Sequence, residues 1–74
     1  MSKLKLISSK EFEKVLLSEG FIKTRQDGSH AFYKHPDGRY TTLPHHGSED
    51  MPRPLIRMIL REINMSVDEY NERV

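Results

Sequence analysis

Gly28-Ser29-His30-Ala31-Phe32-Tyr33-Lys34-His35-Pro36-Asp37-Gly38-Arg39-Tyr40-Thr41-Thr42-Leu43-Pro44-His45 reads as a β-hairpin with a turn at each end. His30 to His35 forms one strand, Pro36-Asp37-Gly38 stops it, and Arg39 to Leu43 returns before Pro44 breaks the ladder. Upstream, Phe21-Ile22-Lys23-Thr24-Arg25 alternates in strand fashion, and Gln26-Asp27-Gly28-Ser29 has the side chains of a turn. Three short antiparallel strands in a meander follow from this reading.

The flanks are helical. Ser8 and Glu11 have the spacing of a capping box, with Ile7 placed to pack on Phe12. Phe12, Val15 and Leu16 then recur at helical spacing while Lys10, Glu13 and Lys14 face away, and Gly20 supplies a positive φ to end the helix. After a loop from His45 to Arg53, Pro54 fits a first helical turn. Leu55, Ile56, Ile59, Leu60 and Ile63 make an apolar stripe, and Asn64 terminates it in the left-handed conformation. Ser66 and Glu69 form a second capping box, which opens a short last helix carrying Val67 and Tyr70. The expected architecture is a single α+β domain over residues 1–74, ordered α-β-β-β-α-α, with the helices on one face of a three-stranded antiparallel sheet. Double-stranded-RNA-binding domains share this element order, which is weak grounds for function.

Composition narrows the field. A chain of 74 residues hides only about 60% of its unfolded surface, so a function on an open face is favoured over one in a deep cavity. It has no cysteine, which excludes disulfides and thiolate metal sites and points to a reducing compartment. The three-residue apolar run near the N-terminus is too short for a signal peptide, and nothing approaches the roughly 20 apolar residues of a membrane helix. Net charge is +1, divided as +3 over residues 1–48 and −2 over residues 49–74. The basic half contains the hairpin and suits a polyanion, although a solvated face accounts for mixed charge equally well.

Strand alternation then sorts the side chains. Lys34 belongs outside so small a core, which puts His30, Phe32 and Lys34 on the open face and Ala31 and Tyr33 toward the helices. The same parity places Lys23 and Arg25 outward on the first strand. An imidazole beside cations and an exposed ring suits RNA: histidine carries protons at neutral pH, Phe32 stacks a base, and Lys23, Arg25, Lys34 and Arg39 neutralise phosphate. The plainer alternative is a solvated basic face with a surface histidine. A third reading joins His35, His45 and His46 to Glu49 or Asp50 as a zinc site, without any regular ligand spacing. Otherwise His35 orders the Pro-Asp-Gly turn, His45 meets the hairpin base, and Met51, Met58 and Met65 fill gaps in the core. Arg53, Arg57 and Arg61 fall on one line of the penultimate helix and either extend a phosphate-binding face or merely solvate it.

Gly28-Ser29-His30, the aromatic-rich strand, His35-Pro36-Asp37-Gly38-Arg39, Thr42-Leu43-Pro44 with His45 beyond, and Pro54-Leu55 followed by Ile59-Leu60-Arg61 together resemble the HicA family of bacterial toxins. The resemblance runs from the Phe12 helix to Ser66. It implies a dsRBD-like fold and an mRNA interferase, a cytoplasmic endoribonuclease of a toxin–antitoxin pair that needs no metal or other cofactor. It also implies a HicB-type antitoxin that masks the active face, with a monomeric free toxin and higher assembly through the antitoxin. The histidine after Gly-Ser is catalytic in such proteins, which selects His30, with Gly28 and Ser29 as the turn that presents it. This chain carries Arg53-Pro54 where relatives have Gly-Thr, Asn64 in place of a glycine, and Tyr40-Thr41-Thr42-Leu43 in place of a valine-rich strand. A non-catalytic RNA-binding module using the same basic face is the alternative.

Overall fold

The computed structural model describes residues 3–45 and 47–74. Helix α1 spans Ser9–Ser18, strands β1 to β3 span Ile22–Asp27, His30–Lys34 and Tyr40–Pro44, and helices α2 and α3 span Arg53–Glu62 and Val67–Arg73. The strands form one antiparallel sheet in the order β1-β2-β3. The α+β meander expected from the sequence is present, with the helices on one face and the other face uncovered.

Local chemistry sets the helix ends. Ser8 and Ser66 each cap their helix through a complete capping box, with Glu11 and Glu69 reaching back. At the end of α1, Phe21 N–H donates to Leu16 O (3.0 Å) and Gly20 N–H to Leu17 O (3.1 Å), a Schellman arrangement with Gly20 at φ +97°. Helix α2 ends in the same way: Met65 N–H donates to Leu60 O, Asn64 N–H to Arg61 O, and Asn64 takes φ +57°. Asparagine replaces glycine here because its short polar side chain tolerates the left-handed region.

The core is one layer between sheet and helices. Phe12, Val15 and Leu16 of α1 and Ile56, Ile59 and Leu60 of α2 are buried with Ala31, Tyr33 and Leu43 of the sheet. Each large apolar side chain so buried contributes about 1.5–3 kcal/mol. One contribution, Leu4, comes from a part not assigned to the core by the sequence pattern, and Ile7 is buried as its place before the capping box predicts. This segment before α1 is tied down by Tyr70 Oη donating to Lys5 O (2.6 Å) and by Arg53 donating to Leu4 O (3.2 Å). Tyr70 also stacks on Phe12 with ring centroids 5.6 Å apart, and Arg73 pairs with Glu19 at 2.9 Å. Helix α3 thereby closes over α1. Of the three later methionines, Met51 and Met65 fill the core as expected, whereas Met58 lies exposed on α2.

Strand boundaries shift slightly from expectation. The β1–β2 ladder continues to the pair Asp27 and His30, leaving only Gly28 and Ser29 as the turn. Gly28 has φ +58°, which a two-residue turn with glycine first requires. Pro44 pairs with His30 at the last position of β3, where its missing N–H costs no interior bond.

Gly20 has a second constraint beyond its backbone angle. A Cβ there would lie 3.0 Å from His35 Nε2, the atom that bonds Glu19 O at 3.0 Å. Gly20→Ala is therefore expected to lower unfolding free energy by at least about 1–2 kcal/mol in urea denaturation. Asn64→Gly, at a similar angle with no such neighbour invoked, should be neutral or slightly stabilising in the same assay.

Candidate functional site

Strand pairing lays out the open face as three cross-strand rows. Asp27, His30 and Pro44 form the row at the hairpin tip, Arg25, Phe32 and Thr42 the middle row, and Ile22, Lys34 and Tyr40 the far row. His30, Phe32 and Lys34 thus share the open face, in agreement with alternation. Among the described residues no hydrogen bond or ion pair engages the His30 ring, and the residue is exposed.

The basic residues divide differently from the expectation that Lys23 and Arg25 point the same way. Thr24 is an extra residue in β1: Lys23 pairs with Tyr33 and Arg25 with Phe32, and the register shifts between them. Residues two apart would otherwise share a face, so the bulge sends Lys23 to the helix side. There its ammonium pairs with Glu13 of α1 at 3.4 Å. Arg25 stays on the open face, its guanidinium 4.7 Å from the centroid of Phe32 and 3.1 Å from Asp27 Oδ2. Arg39 is drawn away from the open face by three partners. It donates to Ile63 O at the end of α2 and to Asp37 Oδ2 (2.8 Å), and it covers Phe21 at 5.1 Å. Its backbone N–H and then its guanidinium hold the Asp37 carboxyl below the usual range. Of the five residues expected to contact RNA, the structure gathers Arg25, Phe32 and Lys34 beside His30 and separates Lys23 and Arg39.

A second polar cluster lies behind the hairpin tip. Tyr33 is buried among the helices, and its hydroxyl donates to Glu13 Oε2 and lies 3.2 Å from His45 Nε2. His45 Nε2 is 3.9 Å from the same carboxylate. The bond from Tyr33 is the largest influence holding the Glu13 carboxyl below its ordinary value, followed in the same direction by Lys23 and His45 against the opposing effect of burial. Burial, and then Glu13, push the Tyr33 phenol up. The His45 backbone N–H in turn donates to Ser29 O at 2.7 Å, which ties this cluster to the turn that presents His30. Helical spacing alone makes Glu13 a solvated residue; the only signal for its role is a buried tyrosine that needs an acceptor.

The remaining histidines occupy separate places. His35 orders its turn as expected: Nδ1 accepts from Asp37 N–H (3.1 Å) while Nε2 faces Glu19 O (3.0 Å), which the tautomer protonated at Nε2 satisfies together. His35 and His45 follow opposite ends of the paired β2 and β3 strands, and His46 lies outside the described residues. Among the described residues no group of three or more His, Asp or Glu side chains is placed to hold a metal ion. Arg57 and Arg61 are exposed on α2, whereas Arg53 reaches the Leu4 carbonyl. No helix among the described residues is long and apolar enough to cross a membrane.

A family model described as the HicA toxin of bacterial toxin–antitoxin matches residues 9–65, more than half of the chain. The matched span runs from the first residue of α1 to just beyond α2 and includes the whole sheet. Comparison with curated proteins returns no match.

The Tyr33 and Glu13 pair makes stability depend on pH in a definite direction. Glu13 titrates lower in the folded chain than its ordinary value of 4.5, so its contribution is complete above that value and is lost as pH falls through the folded value. Tyr33→Phe should cost about 1–2 kcal/mol at neutral pH, allowing for the partial solvent exposure of the carboxylate. In urea denaturation the gap between Tyr33→Phe and the parent chain should narrow as pH falls below the ordinary carboxylate value of 4.5 and through the lower folded one. A gap independent of pH would show that the contribution of the hydroxyl does not depend on the charge of Glu13.

Proposed function

The chain belongs to the HicA family of toxins of bacterial toxin–antitoxin systems, and from that membership we propose that it is an endoribonuclease that cleaves mRNA with His30 as general acid or base. The observation that carries the proposal is the position of His30. It stands exposed beside the β1–β2 turn, on the same sheet face as Arg25, Phe32 and Lys34.

Cleavage of RNA by its own 2′-hydroxyl forms a bond from that oxygen to phosphorus as the bond to the 5′-oxygen breaks. The products are a 2′,3′-cyclic phosphate and a free 5′-hydroxyl. One group must take the 2′ proton and another must protonate the departing oxygen, while negative charge gathers on the phosphorane. His30 supplies one of the two transfers, and water or a cation assists the other. Arg25, one row from His30, stabilises the charge that develops on the phosphorane, Lys34 meets the anionic backbone further along the strand, and Phe32 offers an apolar surface to a base. Gly28 and Ser29 hold His30 at the tip. Their geometry is supported from behind by the His45 N–H on Ser29 O. Lys23 and Arg39 serve the frame: Lys23 compensates Glu13, and Arg39 clamps the second turn to the end of α2.

An antitoxin is the partner that this family implies. A HicB-type antitoxin would neutralise the toxin by covering the open face, where a masking surface needs acidic groups opposite Arg25 and Lys34. Cytoplasmic mRNA is the substrate consistent with this assignment, and no metal enters the reaction.

His30→Ala should lower the rate of RNA cleavage by about a hundredfold or more and relieve growth arrest on expression. Its melting temperature should stay near that of the parent, because the side chain is exposed and makes no hydrogen bond in the described structure. EDTA should leave the parent rate unchanged. Undiminished cleavage by His30→Ala would overturn the assignment of the residue, and binding without cleavage by the parent chain would favour a non-catalytic RNA-binding module.

A further inference from the structure

The face that carries His30 holds an aromatic side chain, Tyr40, that the catalytic assignment does not use. Tyr40 is the most exposed of the large hydrophobic side chains among the described residues, at 65%. It lies in the far row with Lys34 and Ile22, the latter 59% exposed. A shallow depression of about 560 Å³ lies on this part of the sheet, bordered by Arg25, Phe32, Lys34, Gly38 and Tyr40.

The two rings differ in availability. Phe32 is half-buried, and the Arg25 guanidinium already lies over it at 4.7 Å. Tyr40 is an exposed edge-strand residue with no ring partner among the described aromatic contacts. The charges around the depression are also lopsided. Asp27, the acid on this face, is paired with Arg25, whereas Lys34 has no ion-pair partner among the described residues. A flat apolar ring beside an unpaired ammonium matches the two parts of a nucleotide, an aromatic base and an anionic phosphate.

We infer that Tyr40 and Lys34 form a nucleotide subsite for single-stranded RNA, in which a base outside the scissile position stacks on Tyr40 while its phosphate meets Lys34. This rests on the RNA-cleaving reading above and extends it from the reacting atoms to the strand beyond them. From the His30 row to the Tyr40 row is four strand positions, about 13 Å at a strand rise of about 3.3 Å per residue. That length is at most about four nucleotides at a stacked spacing of about 3.4 Å each. A paired base has both faces stacked within the duplex and cannot lie on Tyr40, so the subsite selects single strands.

The test uses His30→Ala as the background, so that binding is measured without cleavage. Fluorescence anisotropy with a single-stranded RNA of about eight nucleotides should show Tyr40→Ala binding about tenfold more weakly than the background chain, and Tyr40→Phe binding equally well. In the chain with His30 intact, cleavage of a dinucleotide, too short to reach from His30 to Tyr40, should be unchanged by Tyr40→Ala. In the same chain, Tyr40→Ala should raise KM for the longer RNA and leave kcat unchanged. Because the side chain is mostly exposed, the melting temperature should not move. Equal affinity of Tyr40→Ala and its background for the longer RNA would overturn the subsite while leaving His30 cleavage standing. Weaker binding of a partner antitoxin with unchanged RNA affinity would also overturn it, by assigning the patch to a protein. If the chain with His30 intact neither binds nor cleaves RNA, the parent reading itself fails.

Discussion

Burial of the Tyr33 ring, with its hydroxyl donated to Glu13, decides which side of the sheet meets water. A strand has period two, so placing Tyr33 and Ala31 against the helices forces His30, Phe32 and Lys34 outward together. A slip of one residue would bury a lysine and expose a tyrosine, and the thin core of so small a domain has no means to absorb that exchange. The phenol also needs an acceptor once it is dry, and Glu13 provides one from α1. One side chain therefore joins helix to sheet and sets the orientation of the whole open face.

The two turns at the ends of β2 are held in different ways. At the tip, Gly28 supplies the backbone angle, and the His45 N–H extends the β2–β3 ladder by bonding Ser29 O. At the other end, His35 bridges its own turn to Glu19, while Arg39 reaches the end of α2 and covers Phe21. Both turns are thus fastened, and the strand between them presents its outward side chains on a fixed frame. That is the condition a proton-transferring group needs, since small errors of placement cost large factors in rate.

The uneven charge of the chain acquires a spatial meaning in the folded state. Two basic residues of the N-terminal portion serve as structural partners: Lys23 with Glu13, and Arg39 with Asp37 and Ile63 O. Arg25 is partly neutralised by Asp27, which leaves Lys34 as the cation on the open face without an acid among the described residues. The net charge of +1 therefore understates how directional the remaining positive potential is.

Much of this was legible in the sequence because it is settled within a few residues. Capping boxes at Ser8 and Ser66, left-handed stops at Gly20 and Asn64, and the Gly28 and Pro36-Asp37-Gly38 turns each depend on groups no more than five positions apart. The outward set of His30, Phe32 and Lys34 follows from alternation and one lysine. What required the tertiary structure was every feature set by pairing between distant segments. The Thr24 bulge, visible only in the register against β2, put Lys23 behind the sheet and kept Arg25 in front. Glu13 looked solvated until Tyr33 came to rest against it, Arg39 looked free until the end of α2 arrived, and Tyr40 became conspicuous only when the helices left its face bare. Local backbone preference reaches as far as a hydrogen bond along the chain. Which side chain remains available to a ligand is decided by what packs against it, and that depends on the whole fold.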